Sequence, residues 1–202
     1  MKLVVMTRST FFVEEDKILA TLFELGLDNL HLYKPDASPM YAERLLSLIP
    51  EDYYRKITVH DHFYLKDEFN LAGIHLNTPD TPLPQGYKGK TSRTCTSIDQ
   101  LKVAKKTSNY VFLRNIFNSL SNAEEKSSFT MSELEWAASK GFIDRKVYAM
   151  GGISTDNIRM MKDLGFGGVV IRGDLWNRFD IHTQDDYKAI ISHFEKILKI
   201  IG

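Results

Sequence analysis

Cysteine is almost absent from this sequence. Cys95 is the only one among 202 residues, so no disulfide can form within the chain. Small secreted domains that cannot build a large core usually depend on several disulfides, and that means of stabilisation is excluded here. The cysteine content therefore favours a protein of the reducing cytoplasm.

Net charge and long apolar runs are also lacking. Lys plus Arg and Asp plus Glu number 26 each, so the formal net charge is zero. No general positive field recruits nucleic acid or an anionic membrane, and any anion site must be local. No apolar run approaches the roughly 18 residues that a membrane helix needs. The short run at residues 1–6 is followed at once by polar residues, which indicates a first strand rather than a signal peptide.

What the sequence does contain is an alternation of short apolar runs with longer amphipathic ones. Hydrophobic residues make up 43% of the chain, enough to fill a sizeable core. Eight runs have the length of buried strands, and helical patterns separate most of them. The predicted strands are 3–7, 29–33, 56–60, 73–76, 88–94, 110–113, 146–150 and 168–172. The predicted helices are 14–25, 41–48, 97–105, 131–139, 155–164 and 185–200.

This order of elements predicts an α/β fold. Strands that alternate with helices are typical of parallel sheets with right-handed crossovers, either as an open doubly wound sheet or as a barrel. The count of eight and a glycine-rich last loop favour one small (β/α)₈ barrel domain, the TIM-barrel fold, over residues 1–202. In such barrels the active site lies at the C-terminal ends of the strands.

Two glycine-rich strand ends predict a phosphate site. Gly151 and Gly152 follow the seventh strand, and Gly173 follows the eighth, directly after Arg172. Backbone without Cβ atoms can approach an anion closely, and barrels often bind phosphate with the loops after strands seven and eight. The alternatives are a tight strand-to-helix turn at the glycines and a salt bridge at the rim for Arg172.

Carboxylates after the third and fourth strands indicate a magnesium site. Asp61 and Asp80 would lie at the mouth of the barrel on adjacent strands. Mg²⁺ is usually held by one or two carboxylates together with phosphate oxygens of the substrate. The alternatives are a helix cap at Asp61 and a turn at Asp80.

Histidines at strand ends leave a rival hypothesis open. His60 and His62 would place both rings on one side of an extended segment, as in a metal-dependent hydrolase. The fifth and sixth predicted strands carry no histidine to complete such a site. His75 is interpreted as a hydrogen-bonded residue of the barrel interior.

Four segments resemble one known family. GIHL at 73–76, followed by Asp80, is similar to the GIHLGQxD segment of thiamine-phosphate synthases. Residues 148–153 resemble the family's strand-seven segment ending in AIGGI, and residues 165–173 its GADGVAVxS segment. Residues 109–112 and the Ile-Phe that follows resemble DYVxxGPIFxTxTK. The order holds over nearly the whole chain, in a superfamily that also contains the TenI-type thiazole tautomerases.

The resemblance implies a reaction and a set of site residues. The synthases join hydroxymethylpyrimidine diphosphate to thiazole phosphate, with Mg²⁺ and release of diphosphate. The family's magnesium aspartates fall on Asp61 and Asp80, and its thiazole-phosphate glycines on Gly151 and Gly152. Its strand-five serine falls on Thr94, which is still a hydroxyl donor. Small-molecule substrates are thus the expected partners, and a homodimer is left open.

The sequence also departs from the family pattern. The family's strand-two arginine and lysine, which bind diphosphate, fall on Tyr33 and Pro35, and its strand-six lysine on Asn122. Lys34 and Lys126 are the nearby candidates to replace them, so weak synthase turnover is expected. His31 is instead similar to the tautomerases' strand-two HxRER segment. A thiazole tautomerase and a non-catalytic thiazole-phosphate binder remain the alternatives.

Overall fold

A computed structural model of the protein describes residues 1–178 and 185–202, and it confirms the predicted barrel. Eight parallel strands close in chain order, and the last strand pairs with the first through Lys2 to Gly168 and Val5 to Ile171. The strands are β1 Lys2–Met6, β2 Leu30–Leu32, β3 Ile57–Val59, β4 Gly73–Leu76, β5 Lys90–Cys95, β6 Tyr110–Leu113, β7 Val147–Met150 and β8 Gly168–Ile171.

The helices surround the barrel and follow local signals in the sequence. Capping boxes at Ser97 and Thr130 start two of them, and Gly26 and Gly165, both with positive φ, follow the ends of two others. The helices are α1 Glu15–Glu24, α2 Pro39–Leu48, α3 Leu65–Glu68, α4 Ile98–Thr107, α5 Met131–Ser139, α6 Ile158–Asp163, α7 Gly173–Trp176 and α8 Asp185–Ile201, with a 3₁₀ helix at Glu51–Lys56. None of these described helices is long and apolar enough to cross a membrane.

Two helices differ from the prediction near the phosphate-type loops. The helix predicted from residue 155 begins only at Ile158, because the Asn157 side chain accepts from Ser154 N–H and donates to the Gly152 carbonyl. The short helix α7 was not predicted, and it begins at Gly173. Both differences leave irregular backbone at the C-terminal ends of β7 and β8.

The interior of the barrel is unusually polar. The large apolar core lies between the strands and the helices, whereas the apolar cluster inside the barrel has five buried members among the described residues. Barrel interiors are ordinarily filled by bulky branched residues. Here much of the space is taken by buried polar side chains, namely His31, Thr58, His60, His75, Ser92 and Thr94.

The connection from β4 to β5 has no helix. Residues 77–89 form an irregular loop in its place, and buried Arg93 on β5 holds it. The Arg93 guanidinium donates to the carbonyls of Pro79 (2.9 Å) and Thr81 (2.6 Å). These two bonds fix the backbone on both sides of Asp80.

A buried ion pair joins α1 to the end of β2. Lys34 Nζ lies 2.6 and 2.8 Å from the two carboxylate oxygens of Glu15 and donates to the Thr10 carbonyl at 2.9 Å. Burial raises the pKa of Glu15 and lowers the pKa of Lys34, which in each case disfavours the charged form. The two charges therefore depend on each other, because either one alone would be buried without a counter-charge.

We expect Glu15→Gln to lower the free energy of unfolding by about 3–5 kcal/mol, because it leaves the Lys34 ammonium buried and unpaired. Lys17→Ala removes an exposed ion pair with Glu14 on the same helix and should cost at most about 1 kcal/mol. Urea unfolding of both variants at pH 7 makes the comparison. Equal losses in the free energy of unfolding would show that the buried ion pair contributes no more to stability than the exposed one.

Candidate active site

A cavity of about 190 Å³ opens at the C-terminal ends of the strands, where barrel active sites lie. Its floor and walls come from strand ends around the ring, and its roof comes from the loop between β6 and α5. The strand-end residues that line it include Met6, Tyr33, His60, Asn77, Thr94, Arg114, Met150, Val170 and Arg172, together with Gly151, Gly152, Ile153 and Gly173.

The two glycine-rich ends offer backbone N–H groups to this cavity. Gly151 and Gly152 have φ values of 98° and 65°, which turn the chain sharply after β7. Among the described residues, no backbone or side-chain group accepts a hydrogen bond from the N–H of Gly152, Ile153 or Gly173. Unpaired N–H groups that converge beside a short helix start can bind a phosphate group.

The same glycines also let the protein's own roof come close. A Cβ at Gly151 would lie 2.9 Å from Asn115 Cα, and one at Gly152 would overlap the Asn118 carbonyl oxygen. A Cβ at Gly173 would lie 2.7 Å from Leu120 Cβ. The sequence suggests that these positions are glycine so that an anion can approach the backbone closely. The structure gives a second reason. The roof, residues 114–130, requires them as well.

Arg172 is the main cation of the cavity. It is half-buried, its guanidinium carbon lies 5.2 Å from the centre of the Tyr33 ring, and no described carboxylate lies within ion-pair distance of it. Burial lowers its pKa from the ordinary value, and the nearby cations Arg114 and Arg8 act in the same direction. The alternative of a rim salt bridge is therefore not found among the described residues, and Arg172 lines the cavity instead.

Arg114 is a cavity residue that the sequence reasoning missed. It follows β6 directly, lines the cavity and donates to Glu125 Oε1 at 2.7 Å across the base of the roof. Its position immediately after a predicted strand was the feature of the sequence that could have identified it as a cavity residue. Arg114 and Arg172 together bring two guanidinium groups to the mouth.

The replacement lysines lie elsewhere. Lys34 is buried in its ion pair with Glu15 and does not line the cavity, so contact with diphosphate would require that pair to break. Lys126 is exposed on the roof and does not line the cavity either. Thr94 does line it, and its hydroxyl lies 2.8 Å from His75 Nε2. The diphosphate roles of Lys34, Lys126 and Thr94 stay predictions.

The two aspartates differ in environment. Asp61 is half-buried, and its Oδ2 is buried with no hydrogen-bond partner in the part of the chain that the structure describes. Burial raises the pKa of Asp61, while a hydrogen bond from the Lys34 backbone N–H opposes that shift. Asp80 is exposed on the loop that Arg93 holds, and neither aspartate lines the cavity. An unpaired buried carboxylate oxygen is costly unless a cation or donor reaches it. Asp61 thus fits the predicted role of magnesium ligand.

Three buried histidines meet inside the barrel. His31 Nδ1 lies 2.8 Å from His60 Nε2, and His31 Nε2 lies 2.7 Å from the Tyr110 hydroxyl. His60 Nδ1 lies 2.8 Å from Asn77 Oδ1. Both ring nitrogens of His75 contact hydroxyls, those of Ser92 (2.7 Å) and Thr94 (2.8 Å), as expected for an interior residue.

These histidines are arranged for hydrogen bonding rather than for a metal ion. His31, His60 and His75 have nitrogen atoms within 4.8 Å of one another, but the His60 and His75 rings stack 4.1 Å apart at 23°. Lone pairs that lie in two nearly parallel ring planes do not converge on one ion. Burial lowers the pKa of His60 to about 4 and the pKa values of His31 and His75 well below the ordinary range. All three rings are therefore neutral at pH 7.

The geometry does not support the rival hypothesis of a metal site at His60 and His62. His62 has a φ of 51°, so the alternation of an extended strand ends before it, and its Nε2 donates to the Ala37 carbonyl at 2.9 Å. His60 is instead bonded to His31 and Asn77. A left-handed residue after a three-residue strand was not visible in the sequence pattern.

Comparisons with known proteins agree with this architecture. A family model described as thiamine monophosphate synthase matches residues 36–175. Over its whole length the chain superimposes on a thiamine phosphate pyrophosphorylase from Bacteroides thetaiotaomicron, with 50% identity, a TM-score of 0.89 and 98% of that chain covered.

More distant relatives give the same result. A thiamine-phosphate synthase from Flavobacterium johnsoniae is 26% identical over 159 residues, which cover 72% of this chain and 70% of that protein. A thiamine phosphate pyrophosphorylase from Pyrococcus furiosus, only 18% identical, has the same fold, with a TM-score of 0.71 over all of this chain and 97% of the other.

Stability should fall as the pH is lowered below about 6.5. The folded pKa values of the three histidines lie below the unfolded value, so the unfolded chain binds more protons there. As the pH falls, each histidine that stays neutral in the folded protein should lower the free energy of unfolding by about 1.4 kcal/mol per pH unit. Urea unfolding between pH 7.5 and 5 measures the slope, and His75→Gln should make it shallower. A slope that His75→Gln leaves unchanged would contradict the neutral interior.

The roof contact can be separated from backbone strain. Gly152→Ala adds a Cβ at positive φ that meets the Asn118 carbonyl, whereas Gly86→Ala adds one at a φ of 75° with nothing within 4 Å. Each alanine should cost about 1–2 kcal/mol for its left-handed backbone. We expect a further loss for Gly152→Ala alone, with faster proteolytic cleavage in 114–130. Similar stability and cleavage in both variants would argue against a tightly packed roof.

Proposed function

We propose that this chain, which belongs to the thiamine monophosphate synthase family, joins hydroxymethylpyrimidine diphosphate to thiazole phosphate and releases diphosphate. The observation that carries this proposal is that Arg172 and the N–H groups of Gly152 and Gly173 line one side of the mouth and, within residues 1–178 and 185–202, have neither an ion-pair partner nor a hydrogen-bond acceptor. Together they form a place for a phosphate group at the β7–β8 side of the mouth.

The phosphate of the thiazole is assigned to this place. Backbone N–H groups and a guanidinium are donors without acceptor capacity, so they suit an anion and disfavour a cation. The Tyr33 ring lies against Arg172 and limits the directions from which that guanidinium can be approached. The thiazole ring would then extend from the β7–β8 side towards the middle of the mouth, between Met6, Met150 and Val170.

The diphosphate of the second substrate is assigned to the other side, near β3 and β4. Asp61 and Asp80 would hold Mg²⁺ there, and the unpartnered Oδ2 of Asp61 supports this role. The ion would supply charge neutralisation for the departing diphosphate. Arg114 lines the mouth with a second guanidinium, which is paired with Glu125. If it also contacts the diphosphate, it would offset part of the loss of the basic residues that the family has at the positions of Tyr33, Pro35 and Asn122.

The tautomerase alternative is less well supported. His31, its base candidate, does not line the cavity, and both its ring nitrogens are hydrogen-bonded inside the barrel. The non-catalytic binder remains the competing proposal, because Lys34 is occupied by Glu15. Incubation with both substrates and Mg²⁺, followed by an assay for thiamin phosphate, separates the two. Product formation supports the synthase, whereas thiazole-phosphate binding without product supports the binder.

Arg172→Met should weaken thiazole-phosphate binding about 10- to 150-fold, because a charge-assisted hydrogen bond contributes about 1.5–3 kcal/mol. Arg159→Met, which removes an exposed arginine on α6, is the matched control and should leave affinity unchanged. Isothermal titration calorimetry at fixed ionic strength measures both. If the two variants bind alike, the phosphate does not lie at Arg172.

A further inference from the structure

A chain of hydrogen bonds crosses the interior of the barrel from one opening to the other. At the N-terminal opening, Asn29 Nδ2 donates to the Tyr110 hydroxyl at 3.3 Å. The chain then passes through His31 and His60, with contacts of 2.7 and 2.8 Å, and ends at Asn77 in the mouth. Every link joins side chains from different strands or strand ends.

The position of the Asn77 amide gives the chain a direction, because Asn77 Oδ1 lies 2.8 Å from His60 Nδ1 and an amide oxygen can only accept. A neutral imidazole has one N–H donor and one acceptor nitrogen, so the bond made by one nitrogen decides the role of the other. In this direction Tyr110 donates its proton to His31 Nε2 and accepts from Asn29. His31 then donates from Nδ1 to His60 Nε2, and His60 donates from Nδ1 to Asn77.

The same contact defines which way the Asn77 amide faces. With Oδ1 placed against the histidine, Nδ2 faces away from it. Asn77 Nδ2 has no acceptor among the residues that the structure describes. Asn77 is exposed and lines the cavity, so its amide presents N–H donors to whatever binds there.

We propose that Asn77 recognises the pyrimidine ring of the substrate, through side-chain N–H groups that the Tyr110–His31–His60 chain turns into the mouth. The inference rests on the proposed function and adds to it the residue that selects the ring. A ring nitrogen with an in-plane lone pair is the acceptor that such a donor fits.

The place of Asn77 in the ring of strands favours the pyrimidine over the thiazole. Asn77 follows β4, and Arg172 follows β8, four strands away on the opposite side of the closed barrel. A ligand whose phosphate lies at β7–β8 has its charged end away from Asn77. The second heterocycle is therefore the one that comes within reach of the Asn77 amide.

The first test compares two ligands and two variants. The probes are hydroxymethylpyrimidine diphosphate and inorganic diphosphate, each titrated with Mg²⁺ present into wild type, Asn77→Ala and the control Gln85→Ala. Asn77→Ala should bind the pyrimidine conjugate about 3- to 10-fold more weakly, the value of one neutral hydrogen bond. Its affinity for inorganic diphosphate should be unchanged. Gln85→Ala, which removes an exposed side-chain amide from the same loop, should change neither.

The second test addresses the chain. Nitrogen-15 NMR of the imidazoles should find His60 in the Nδ1–H form. Tyr110→Phe removes the hydroxyl that fixes His31 and should shift the His60 tautomer and weaken binding of the pyrimidine conjugate. Tyr148→Phe removes a hydroxyl from the ring stacked 4.8 Å away at the same opening and should do neither.

The outcomes separate this inference from the proposed function. Wild type that binds neither probe would overturn both. Wild type that binds the pyrimidine conjugate, with Asn77→Ala keeping its full affinity, would overturn the role of Asn77 alone. An Nε2–H tautomer at His60 would also overturn it, because the Asn77 oxygen would then face the mouth.

Discussion

The neutrality of three buried imidazoles is the constraint on which the interior of this barrel depends. A neutral ring must find both a donor and an acceptor, or else leave a buried polar atom unsatisfied at a cost of about 1–3 kcal/mol. His75 meets this demand with Ser92 and Thr94, and His31 meets it with His60 and Tyr110. The hydroxyls on β5 and β6 are thus part of the packing, since apolar replacements would leave the rings without partners.

That requirement extends into the active site. His60 and Thr94 belong to the interior network and also line the cavity, so residues that stabilise the barrel are the same residues that shape the mouth. On the β7–β8 side of the mouth, three glycines have two roles. Gly151, Gly152 and Gly173 let the roof pack down while they leave N–H groups available. The mouth therefore has a fixed polar floor and a closely fitted cover.

Much of the fold could be predicted from the sequence, because strand-length apolar runs and helical periodicity are local properties. The eight strands and the closure into a barrel were confirmed, and strand bounds changed by only a few residues. The phosphate-type loops after β7 and β8 also lie at the cavity, as expected. The start of α6 differed from the prediction because of the side-chain hydrogen bonds of Asn157, which hydrophobic periodicity does not reveal.

The barrel, the family resemblance and the positions of the strand ends could be predicted from the sequence, since each depends on the spacing of residue types along the chain. The availability of the charged groups, in contrast, depends on the fold. Lys34 is spaced for a substrate contact but is buried against Glu15, and Arg114 lines the cavity but is paired with Glu125. Arg172 lines the cavity with no carboxylate of the described residues at ion-pair distance. Pairing depends on distances between residues far apart in the chain, such as the 29 positions between His31 and His60, and no local pattern encodes those distances.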